Sequence, residues 1–71
     1  MNSVPEPIEY LKTIPIRLLC VGDILVNLGP VLEIMEESGS FSLVIQRMQE
    51  RQVWRFQKDE ELTVRRSELS I

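Results

Sequence analysis

Val31-Leu32-Glu33-Ile34-Met35-Glu36-Glu37, Ser38-Gly39-Ser40 and Phe41-Ser42-Leu43-Val44-Ile45-Gln46-Arg47-Met48 follow one another without a break, and their reading decides the fold. In the first run Leu32 and Ile34 alternate with Glu33 and Met35, the period of two that turns one face of a strand inward. In the last run Phe41, Leu43 and Ile45 fall on one face, with Ser42 and Gln46 on the other. Ser38-Gly39-Ser40 between them is a turn, so the two runs are expected to pair as an antiparallel hairpin.

On the N-terminal side, the apolar run Ile16 to Val21 is closed by Gly22-Asp23, where glycine supplies positive φ and aspartate bonds the local backbone. Ile24-Leu25-Val26 reads as a short strand ended by the turn cluster Asn27-Leu28-Gly29-Pro30. Gly22 and Gly29 are therefore expected at turns, at least one of them with positive φ. Before Pro15, Ile8 to Thr13 makes a short turn or an edge segment, and residues 1–7, with Pro5 and Pro7, form a loose arm.

On the C-terminal side, Gln46 to Gln52 reads two ways. Gln, Arg, Met and Glu favour helix, which gives an α+β alternative with a helix near residues 44–52. No capping residue precedes it, however, and the preferred reading is a strand, a polar turn near Gln49-Glu50-Arg51 and a return strand Val53-Trp54-Arg55-Phe56. Lys58-Asp59-Glu60-Glu61 is a further turn, and Leu62-Thr63-Val64 a last short strand with Leu62 and Val64 inward.

Five short strands joined by tight turns cannot build a sandwich at this length, so the expected fold is all-β, a single bent sheet curled into a small five-stranded barrel. Residues 1–14 serve as an N-terminal arm and turn and residues 15–71 as one domain. The pattern Leu18-x-x-Val21-Gly22-Asp23-x-Leu25, then Gly29-Pro30-Val31-x-x-Ile34, resembles the opening of SH3-like barrels, in which strands follow a Gly-Asp turn and a glycine. That resemblance implies a barrel over Leu18 to Val64. It leaves function wide, since such barrels bind peptides, bind nucleic acids or serve in assembly. The tyrosines and paired tryptophans of a proline-reading groove are missing; the aromatics are Tyr10, Phe41, Trp54 and Phe56.

The composition, 44% hydrophobic and 27% charged in 71 residues, is that of an ordinary globular domain with a small core. No apolar run approaches the roughly 20 residues that span a bilayer, and the start lacks a secretory leader pattern, so a cytoplasmic, bacterial protein without membrane contact is expected. Cys20 has no partner for an internal disulfide and is expected to be a small buried hydrophobe. The net charge is −3. Residues 1–43 hold two cations against six acids, and residues 44–71 six against five, so the basic groups of the second half are interleaved with carboxylates. Such a balance makes nucleic acid an unfavoured partner.

The absence of histidine closes histidine-based triads and metal sites, and one cysteine cannot build a thiolate zinc site. Glu36-Glu37 and Glu60-Glu61 read as solvated charges rather than an acid–base pair, and no phosphate-cradling glycine string occurs. No catalytic residue, cofactor or metal is therefore expected, and the chain is read as a non-enzyme. The expected function is an interaction module that binds a protein partner or its own copy through a strand edge or the region of Trp54, Arg55, Arg51 and Arg47. Tryptophan and arginine there supply stacking and charge. The plainer reading puts Trp54 and Phe56 on one strand face in the core, with Trp54 largely buried and Arg55 in solvent. The alternative function is a nucleic-acid accessory domain using Arg47, Arg51, Arg55, Arg65 and Arg66.

Overall fold

A computed structural model describes residues 7–69, with side-chain surroundings for residues 8–67. Its chain is all-β. Among the described residues, β1 (Pro7–Pro15), β2 (Ile24–Leu25), β3 (Gly29–Glu37), β4 (Ser40–Arg47), β5 (Glu50–Gln57) and β6 (Glu61–Leu69) form one antiparallel sheet, with a 3-10 turn at Ile16–Leu18. The order across the sheet is β1-β6-β2-β3-β4-β5. Residues 1–6, the bulk of the expected loose arm, lie outside the described residues.

The hairpin that decides the fold is present, with Glu37 opposite Ser40 and Ile34 opposite Leu43. Three expectations are corrected. The α+β alternative fails, because residues 44–52 run as the end of β4, a two-residue turn and the start of β5. The strands number six rather than five, since Ile8 to Thr13 extends into a nine-residue edge strand, β1, along β6. The sheet is not a closed barrel: β1 and β5 are its edges. The molecule is correspondingly elongated, 54 × 27 × 16 Å, with a radius of gyration of 14.4 Å. A compact chain of this length would have about 11 Å.

Two halves meet at the short strand β2, which pairs with β6 on one side and β3 on the other. Ile14 and Val64 from the first half, Leu25 from β2, and Val31, Leu43 and Ile45 from the second form the buried core, with Phe56 and Leu62 packed against it. β4 is buried on both faces from Phe41 to Ile45. Its inner residues meet the core, whereas Ser42 and Val44 lie on the outer face, between the ion pairs Arg55–Glu37 (3.6 Å) and Arg51–Glu33 (3.3 Å). The buried Ser42 hydroxyl donates to Glu37 at 2.7 Å. A β-bulge between Val31 and Glu33 interrupts the expected alternation, so Val31 takes the fully buried place and Leu32 is half-buried.

Gly22 (φ +99°) and Gly29 (φ +113°) both adopt the left-handed conformation expected of them. The β4–β5 turn does so without glycine. Met48 (φ 53°) and Gln49 (φ 64°) are both left-handed, the pattern of the hairpin turn that ordinarily takes Asn-Gly. A side chain in this region costs about 1–2 kcal/mol per residue. Met48→Asn with Gln49→Gly is therefore expected to stabilise the domain by about 2 kcal/mol, after allowance for the entropy that glycine adds to the unfolded chain. Urea unfolding of the double variant checks it; an unchanged midpoint would mean that the turn relaxes in solution.

Candidate functional site

The residues singled out in the sequence do not form one patch. Neighbours on a strand face opposite ways, so Trp54 and Phe56 share the inner face with Leu43 and Phe41, their cross-strand partners, while Arg51 and Arg55 lie on the outer one. Arg47 belongs to the inner side of β4 and is half-buried. The plainer reading is right about the shared face and about Arg55, but wrong about Trp54. Among the described residues β5 is an edge strand with no neighbour beyond it, so the indole stays 36% exposed, its Nε1–H donating to Gln52 at 3.1 Å. Cys20 is likewise exposed rather than buried, because the 3-10 turn sends Ile16 and Leu19 inward in its place.

The arginines of the second half divide. Arg51, Arg55 and Arg66 are ion-paired, to Glu33, Glu37 and Asp23; Arg47 and Arg65 are in no ion pair among the described residues. The first two pairs are exposed and contribute little. Arg66 is bidentate, reaching Asp23 Oδ1 at 3.2 Å and Oδ2 at 3.0 Å, and the Cys20 amide donates to Oδ2 at 2.9 Å. Burial pulls the Asp23 carboxyl upward, but the Arg66 and Cys20 hydrogen bonds and the Arg66 charge outweigh it and hold it below its usual value. A carboxyl lowered in the folded state contributes stability above its unfolded pKa near 4, and loses it as pH falls toward the folded value. Asp23→Asn is thus expected to lower the melting temperature at pH 7 while shrinking its drop between pH 5 and pH 3; an unaltered acid limb would disprove the link.

The unpaired edge of β5 is the clearest feature on the surface. In a two-residue hairpin the residues flanking the turn, Arg47 and Glu50, form a hydrogen-bonded pair, and every second pair along the ladder does the same. Arg51, Val53, Arg55 and Gln57 therefore direct their N–H and C=O groups to the open side. The Gln57 amide, free of β4 on this count, is held instead by the Glu60 carboxylate at 2.7 Å. The other edge is blunted at its two ends. Ile16 N–H donates to Glu60 at 3.0 Å, which sets the phase of the β1–β6 ladder and puts Pro7 and Pro15 at its outward positions, where no N–H is offered. β5 has no proline, and it exposes Val53 (68%) on one face and Trp54 on the other. Sequence reading named the strand edge as a binding route without saying which edge; the prolines of β1 were the available signal.

Among the described residues no group of His, Cys, Asp and Glu is placed to hold a metal ion, and no helix is long and apolar enough to cross a membrane. No family model, curated protein or solved structure matches the chain.

Proposed function

We propose that the chain is a non-catalytic interaction module whose β5 edge accepts an extended strand, and that this strand is β5 of a second copy. The observation that carries the reading is the open row of backbone groups at Arg51, Val53 and Arg55, a template for strand addition. Symmetric pairing has few registers that match inner face to inner face. One centred on Val53 sets Arg51 against Arg55 of the other copy, a like-charge contact. One centred on Trp54 sets Val53 against Arg55 and Gln52 against Phe56, and brings the two indoles together at the two-fold axis in a close, non-hydrogen-bonded position. The SH3-like relation belongs to the same proposal and rests on the sequence resemblance around Gly22-Asp23 and Gly29 alone. The nucleic-acid alternative loses ground, because three of its five arginines are committed to carboxylates.

Val53→Pro tests the edge directly. Val53 gives its N–H to the open side, so proline there is tolerated by the β4–β5 ladder yet blocks an incoming strand. Light scattering with size exclusion is expected to show a dimer for the parent chain and a folded monomer for the variant. A parent chain that is monomeric at millimolar concentration, or a variant that dimerises as well as the parent, overturns the proposal.

A further inference from the structure

Away from the β5 edge, a groove of about 340 Å³ lies where the β2–β3 turn, β6 and the β4–β5 turn converge. Ile24, Val26, Leu28 and Met48 provide apolar walls, and Arg47 and Arg65 the charge; among the described residues no acidic one lines it. That is unusual in a chain of net charge −3 whose other second-half arginines are all ion-paired. Met48 is 79% exposed, and Ile24 and Val26 are also open to solvent. Gly29 brings β3 against the backbone of Gln46, which fixes the position of the Arg47-Met48 corner beside β2.

We propose that this groove binds an acidic protein segment, an extended peptide in which carboxylates alternate with bulky apolar side chains. Two guanidiniums that are in no ion pair among the described residues donate to carboxylates in the fork geometry that arginine favours, while the side chains between them bury against Met48, Val26 and Ile24. Nucleic acid fits less well. No aromatic residue in the groove offers a face for base stacking, and two cations are few for a phosphate backbone. A methionine at such a rim suits peptide side chains of varied shape.

The test uses three fluorescein-labelled probes with the full chain: an octapeptide alternating glutamate and leucine, its lysine–leucine counterpart, and an oligouridylate. The glutamate peptide is expected to bind and to weaken with salt. Its Kd is expected to rise about ten-fold or more in Arg47→Glu with Arg65→Glu, as two charge-assisted contacts become repulsive. Arg17→Glu with Lys58→Glu, which changes the net charge equally on a different surface, leaves it far less affected. Amide shifts in a nitrogen-15 correlation spectrum are expected at residues 24–28, 46–48 and 65. Val53→Pro keeps this binding, which separates failure here from failure of the β5 proposal. Absence of binding, equal binding of the lysine peptide, tighter binding of the oligouridylate, or shifts centred elsewhere overturns the inference.

Discussion

Gly29→Ala is expected to destabilise the domain by about 3 kcal/mol or more, enough to leave a chain of this size largely unfolded at 37 °C. Two costs coincide at this residue. Its φ of +113° is a conformation that side chains rarely adopt, a penalty of about 1–3 kcal/mol. A Cβ there would also stand 2.6 Å from the carbonyl oxygen of Gln46, a backbone atom that cannot swing aside without moving β4. Gly39 is the internal control. It is left-handed too (φ +82°), but a Cβ would meet nothing within 4 Å, so Gly39→Ala carries the conformational cost without the clash. Urea midpoints of the two variants measure the difference; equal losses would show that β3 and β4 do not approach so closely in solution.

The two glycines also show what the sequence could convey. Gly22-Asp23 and Gly29-Pro30 announce turns by composition, and Ser38-Gly39 announces the hairpin, because the chemistry that makes these turns is local. The turn at Met48-Gln49 carries no such mark. Its left-handed pair is imposed by the strands on either side, which leave only two residues to connect Arg47 with Glu50, and this is why a helix over residues 44–52 stayed open as an alternative. Strand length was hidden for a similar reason. In β6 the apolar signal ends at Val64, yet the strand runs on to Leu69 through pairing with β1. The edges β1 and β5 do not meet, and the expected barrel stays open.

The site was legible in part. Residue types at the β5 edge were visible, but whether Trp54 is covered depends on which strand borders β5, a matter of sheet order rather than of local pattern. The pairing of Arg51 with Glu33 and of Arg55 with Glu37 joins residues 18 apart in each case, across β4, and follows from register. The groove at Arg47 and Arg65 unites three segments distant in the chain, and no spacing in the sequence points to it.

Leu43, rather than the tryptophan, is where loss of a side chain should do most harm. Leu43→Ala is expected to cost about 2–5 kcal/mol, the range for leucine truncation in a packed core. The upper part of that range applies, because Leu43 is wholly buried in the central strand of β3-β4-β5, between Ile34 and Trp54, and neither neighbouring strand can close over the space. Trp54→Ala removes a larger side chain, but one already 36% exposed at an edge. Its loss is expected to cost about 1–2 kcal/mol in the monomer, from partial burial alone. Unfolding measured in the Val53→Pro background, where no second copy adds to β5, isolates the monomer term. If Trp54→Ala there proves as damaging as Leu43→Ala, the indole is covered in solution and the β5 edge is not open as described.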